Sequence, residues 1–196
     1  MNDALLIGAA ERNDVPALER LVKAGASVHH RDRSGRTALL AATQRNHVAA
    51  ARALMQAGAD VNAQDDQRDS AFLLAGARGY TEIVHLALAH KPDFRLTNRY
   101  GGTALIPACH YGHVETVKLL LTTPIDIDHV NNLGWTALLE AVILGDGGVA
   151  HTEIVRMLVA HGANIDVADR QGVTPLAHAR QRGQTAIVRI LESAKR

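Results

Sequence analysis

Aromatic residues make up only 3% of the 196-residue chain: one Trp, three Tyr and two Phe. A core cannot be built around rings on that supply. It has to be assembled from Ala, Leu, Val and Ile, which suits thin layers of closely packed helices. Cysteine is almost absent as well. The single Cys109 excludes an intrachain disulfide framework. No apolar run approaches the ~20 residues that a membrane-crossing helix needs. Ala4 to Ala10 is short, lacks a basic stretch before it, and meets Glu11 and Arg12 at once. It reads as the first helix of the fold, with a cytoplasmic protein and no membrane partner as the expectation. Charge of one sign is lacking too: 21 Lys and Arg against 20 Asp and Glu leave +1. That balance argues against nucleic acid as a partner.

What the chain has is a period. A turn signal, a helical apolar pattern, a break, a second helical pattern and a Gly-Ala-Asp stop run from Asp32 to Gln64. The plan returns 33 residues later, with Thr37 replaced in turn by Ser70, Thr103 and Thr136; a longer step of 38 residues brings Thr174. Self-similarity at such a period marks stacked helical repeats. The hydroxyl at each of these positions is placed to cap a first helix. Repeats fall at 32–64, 65–97, 98–130 and 131–168, between a partial repeat at 1–31 and a closing one at 169–196. Asp14-Val15-Pro16 marks a helix start. Arg182, Gln184, Glu192, Lys195 and Arg196 fit the polar outer face of a terminal repeat. Arg68, Lys91 and Pro124 stand where other repeats have Gly, so altered turns are expected between repeats three, four and five. The five extra residues fall in Gly145–His151, between the two helices of the fifth repeat. They read either as a tolerated surface loop or as a Gly-rich offer of amide protons to an anion.

These residues carry a resemblance. Gly35, Thr37, Leu39, Ala42, His47, Leu54, Gly58, Ala59, Asp60, Val61 and Asn62 of the second repeat, with the matching sets around Thr136-Ala137-Leu138 and Thr174-Pro175-Leu176, make the chain similar to the ankyrin-repeat family. The resemblance spans nearly the whole length. It implies an all-α fold, a single solenoid of about six helix-turn-helix repeats joined by β-hairpin-like loops. It also implies a non-catalytic role in binding another protein through a concave groove. The family's His after Leu is replaced by Leu40, Leu73, Ile106, Leu139 and Ala177, so packing has to replace a polar link between repeats.

Carried over by position, the groove holds Arg33, Arg36 and Arg45, then Arg78, then Arg99, Tyr100, His110 and Tyr111, then Leu133, Trp135, Ile143 and Leu144. The only Trp and two of the three Tyr fall on it, and aromatics with Arg dominate interface hot spots. Trp135 covering a hairpin is the alternative. The Arg residues suit a partner with an acidic patch, or are solvated charge. Glu140 sits on a first helix where the family usually has Leu, and needs solvent or a donor. With Cys109 it outlines a pocket at the junction of repeats four and five. A small-molecule or anion sensor is therefore the second functional reading. Catalysis is not expected. Cys109 and His113 share a helix face, but His113 repeats the position of His47. His110 and His113 lack a second Cys/His cluster, so no metal and no other cofactor is expected. A monomer is expected.

Overall fold

The computed structural model describes residues 2–194; Lys195 and Arg196, assigned above to the outer face of the last repeat, lie outside the described residues. Twelve α-helices and no strands occur among the described residues. They come in pairs: α1 (Asn2–Glu11) with α2 (Val15–Lys23), α3 (Ala38–Gln44) with α4 (Val48–Gln56), and α5 (Ala71–Arg78) with α6 (Thr81–Leu88). The series continues with α7 (Leu105–His110) and α8 (Val114–Leu120), α9 (Ala137–Ile143) and α10 (Val149–Ala160), and α11 (Pro175–Gln181) and α12 (Thr185–Ala194). None is long and apolar enough to cross a membrane.

The helices divide between two compact units, Met1–Ala75 with Tyr80–Arg99, and Gly76–Gly79 with Tyr100–Arg196. In the first, α1 packs on α2 and α3, α3 on α4, and α4 on both α2 and α6. In the second, α7 packs on α8 and α9, α9 on α10 and α11, and α12 on α10 and α11. Small side chains let the first helices approach closely: Ala38, Ala41 and Ala42 in one unit, and Ala108, Ala137 and Ala141 in the other, are buried. Larger residues of the second helices, Leu54, Ile83, Leu120, Leu158 and Leu191 among them, complete each layer. Leu40, Leu73, Ile106 and Leu139 are buried where a polar link was absent, so apolar contact does replace it.

The hydroxyl caps form in four repeats. Thr37, Ser70, Thr136 and Thr174 each accept from the amide three residues on, at 3.2–3.3 Å. Thr103 does not. Its carbonyl would have to accept from residue 107, as Thr37 and Thr136 do from Ala41 and Glu140, but Pro107 has no amide proton. The helix therefore begins one residue late, at Leu105, and the Thr103 hydroxyl is left buried without a partner.

The turns correct another expectation. Asp65 and Asp69 close their turn as Asp32 and Arg36 do, with Arg68 adopting φ +60° where Gly35 has +76°. Lys91 likewise takes φ +56°. The surroundings impose the left-handed conformation on a residue that tolerates it poorly, and the turn is kept rather than altered. Only Pro124 changes the pattern. There the hydroxyls of Thr122 and Thr123 donate to Leu119 and Leu120 carbonyls at the end of α8. Gln184 is also corrected. It is buried, not on an outer face, and its amide donates to Val142 O at 3.1 Å. That back-reach recurs at the same register: His47 Nε2 lies 3.2 Å from Glu11 O, and His151 Nε2 lies 2.8 Å from His110 O.

Candidate interaction surface

Exposed large apolar residues are concentrated in the second unit. Tyr100 and Leu133, one period apart at turn tips, are 55% and 51% exposed. Tyr111 and Leu144, one period apart at first-helix ends, are 61% and 41% exposed. Val130 and Val149 are exposed there as well, whereas the first unit exposes only Leu5 among its described residues. Trp135 is half-buried. Its position is that of Arg36 in the second repeat, three periods earlier. Arg36 reaches Gln44 and Glu11, whose counterparts are Ile143 and His110. By register, Trp135 thus corresponds to the residue that faces the counterpart of His110 in the second repeat.

The Arg residues divide. Arg33, Arg45 and Arg78 are exposed. Arg99 is exposed and donates to Gln67. Arg36 is committed within the fold, to Asp32 at 2.8 Å and Glu11 at 3.1 Å. The hydrogen bond it donates to Asp32 raises its pKa above the ordinary guanidinium value.

Beside the aromatic residues lies a buried polar cluster that begins with Asn131. In three other turns an Asp at this position accepts two backbone amides: Asp32 from Ser34 and Arg36, Asp65 from Gln67 and Asp69, Asp169 from Gln171 and Val173; the fourth repeat has Asn98 there. Asn131 Oδ1 does the same with Leu133 and Trp135. Its Nδ2 donates to Glu140 Oε1 at 2.8 Å. A carboxylate at 131 would face the Glu140 carboxylate at that distance, so Asn is the residue type that serves both the turn and the helix. In the sixth repeat the polarity is reversed: Asp169 on the turn pairs with His178 on the helix at 2.7 Å.

Glu140 is buried to 6% exposure. Loss of solvent pushes its pKa up to about 7, and the Asn131 hydrogen bond offsets this only in part. Its Oε2 lies 3.6 Å from His110 Nδ1. His110 is half-buried, stacks on Tyr111 with centroids 4.2 Å apart, and is held below the ordinary imidazole value by burial and then by His151. His151 in turn meets Asp146 Oδ1 at 2.8 Å. This ring spans two elements. The inserted segment forms a loop over residues 145–148 and then extends α10, since the helix starts at Val149. The Gly148 amide donates to Asp146 at 2.8 Å, so the loop uses that amide itself.

Cys109 does not join the proposed pocket. It is fully buried, and burial followed by the Glu140 charge pushes its thiol well above the ordinary value. A thiol so placed is a poor nucleophile. His113 is likewise engaged by the fold, through a backbone hydrogen bond with Ala77. Sequence reasoning missed Asn131, His151 and Asp146. The available signal was the pairing of Asn131 with Glu140 in one repeat: Asp stands at the turn position in three other repeats and Asn98 in the fourth, and none of these carries a carboxylate at the Glu140 position.

The pairing rule is testable. Asn131→Asp is expected to destabilise the protein by about 1–3 kcal/mol at pH 8, through a repelled and unsatisfied buried carboxylate. Adding Glu140→His recreates the Asp169–His178 arrangement and should recover most of that loss in chemical denaturation. A double variant no more stable than Asn131→Asp alone would break the rule.

Comparison with known proteins agrees with this repeat architecture. The family described as ankyrin repeats (3 copies) matches residues 2–65, 72–169 and 128–195. An ankyrin repeat domain from Acinetobacter baumannii AYE superposes with a TM-score of 0.95 and 48% identity, covering 97% of each chain. The ankyrin repeat protein EF0377 gives 0.92 and 41%, covering 95% of this chain and 96% of that one. The ankyrin repeat protein YahD of Escherichia coli (strain K12) is 44% identical over 55 residues, which span 28% of this chain and 27% of YahD. Period, helix pairs, turn chemistry and these matches together establish that the chain belongs to the ankyrin-repeat family.

Proposed function

We propose that this protein is a non-catalytic interaction module whose second unit grips a partner protein through Tyr100, Tyr111, Leu133, Trp135 and Leu144. Ankyrin-repeat proteins are generally non-enzymatic modules that bind other proteins. The observation that carries the finer reading is that Tyr100, Leu133, Tyr111 and Leu144, four of the six exposed large apolar residues among the described residues of the second unit, lie at the turn tips and first-helix ends of repeats four and five. Large rigid side chains left in water at a rim are the usual anchors of an interface. His110 and Glu140 lie at the base of this patch, and Arg78 is exposed in the same unit. In the first unit, the exposed Arg33 and Arg45 suit a partner segment that carries carboxylates. Arg36 is held internally and contributes to the fold. A monomer acting in the cytoplasm fits this reading.

Trp135→Ala with Tyr111→Ala is the direct test. Both side chains reach the surface in part, so circular dichroism should report an unchanged helical fold. Capture of the partner from lysate should fall at least tenfold relative to the wild type. Undiminished capture by the folded double variant would place the contact elsewhere.

A further inference from the structure

Glu140 stands where the second, third and fourth repeats carry Ala41, Leu74 and Pro107. Packing of the repeats therefore does not call for a carboxylate at this position. One of its oxygens is satisfied by Asn131 at 2.8 Å. The other, Oε2, lies 3.6 Å from His110 Nδ1, beyond hydrogen-bond reach, and burial disfavours the charged form of that imidazole. In the sixth repeat the corresponding pair is closed inside the fold, His178 against Asp169 at 2.7 Å. The fifth repeat thus buries a carboxylate with one oxygen held and one facing the His110–Tyr111 stack, without the cation that would compensate it. Tyr111 is largely exposed, and the half-buried Trp135 occupies the place in the period from which Arg36 reaches Glu11, the counterpart of His110.

We infer that this site receives the guanidinium of an arginine side chain presented by the partner protein, with Glu140 Oε2 as the accepting oxygen and the Tyr111 and Trp135 rings as its walls. The inference deepens the interaction reading above and rests on it. A guanidinium is favoured over an ammonium because it is planar and weakly hydrated. It loses less on leaving water and stacks flat on aromatic rings while donating in its own plane. A charge-assisted hydrogen bond to a half-desolvated carboxylate is among the stronger single contacts available to an interface.

Binding should depend on pH, since only the ionised carboxylate accepts the cation. His110 and Cys109 of α7 are the titratable groups that interact with Glu140, and the other titratable groups on the elements packed against α9 include His151 and Asp146 of the inserted loop and α10, and His178 of α11. His178 is already paired with Asp169, and the Cys109 thiol is held neutral. Protonation of His110 would oppose a cation in the same direction as protonation of Glu140, so a substitution at Glu140 is needed to separate them.

The chain contains a single Trp, and its indole N–H gives one resolved signal in a proton–nitrogen correlation spectrum. The probe is Nα-acetyl-arginine amide, with Nα-acetyl-citrulline amide as its neutral isostere. At pH 8 the arginine amide should give a saturable shift of the Trp135 indole signal, and the citrulline amide one at least tenfold weaker. At pH 5.5 the arginine response should weaken about tenfold or more. In Glu140→Gln the preference for arginine should vanish with the fold intact. Equal responses to the two amides, or an undiminished arginine preference in Glu140→Gln, would overturn the guanidinium assignment. So would the absence of a saturable shift with either amide. The interaction reading survives all three results if the Trp135 and Tyr111 double variant still loses partner capture, and it falls separately if capture persists.

Discussion

Replacing Glu140 by Gln is expected to make the protein about 3 kcal/mol more stable at pH 8 and to change little at pH 5. Glu140 is buried, and burial raises its pKa from 4.5 to about 7. The folded protein holds this proton more tightly than the unfolded chain does. The group's relative stabilisation is therefore complete below about pH 4.5 and is lost as pH rises through about 7. Gln keeps an acceptor for Asn131 and removes the charge, so the variant escapes that loss. For a chain of this size the gain corresponds to a rise in Tm of roughly 6–12 °C. Melting curves of both proteins at pH 5 and pH 8 decide the matter. His110 and His113 titrate in the opposite sense, because burial lowers both and their contribution falls on acidification. The difference between variant and wild type cancels them. A gain that is the same at both pH values would mean that charge at Glu140 is not its source. A residue that weakens the fold where three neighbouring repeats have Ala, Leu or Pro is what a binding function retained at the expense of stability would look like.

Gly145→Ala should act with comparable size and the opposite sign, costing about 3 kcal/mol. A Cβ at this position would stand 2.1 Å from the Ala141 carbonyl oxygen and 2.5 Å from the His151 ring. The first contact is with the backbone of α9, not a flexible side chain, so no rotamer change relieves it. The second would drive out a ring held by Asp146 Oδ1 and His110 O, each at 2.8 Å. Urea denaturation measures the loss, and the His151 ring signals would report the displaced side chain. Wild-type stability in Gly145→Ala would show that the loop shifts as a body and that its path is not set by this close approach.

Much of the architecture was legible because each repeat states the same instruction. Thr37, Ser70, Thr136 and Thr174 recur at the same place in the period and cap their helices as a local hydroxyl must. Thr103 looked identical, and the difference lay four residues on, in the missing amide of Pro107. That consequence is itself local, and the rule for helix hydrogen bonding would have exposed it. Arg68 and Lys91 were misread for another reason. Intrinsic preference argues against positive φ for both, yet the turn geometry holds them there. The exposure of Tyr100 at a turn tip and of Tyr111 at a helix end accords with their places in the period.

The chain's period, its helix pairs, the order of its repeats and the location of its aromatic residues all follow from local chemistry repeated at fixed spacing, and they can be read along one dimension. The contacts of Asn131 with Glu140, of His151 with the carbonyl of His110, and the burial of Cys109 could not be. Each depends on the angle at which one helix face meets the next layer, a quantity set by the packing of many side chains together. Spacing placed Cys109 beside Glu140 in the stack. Packing turned the thiol inward and left one oxygen of the carboxylate facing the His110–Tyr111 stack.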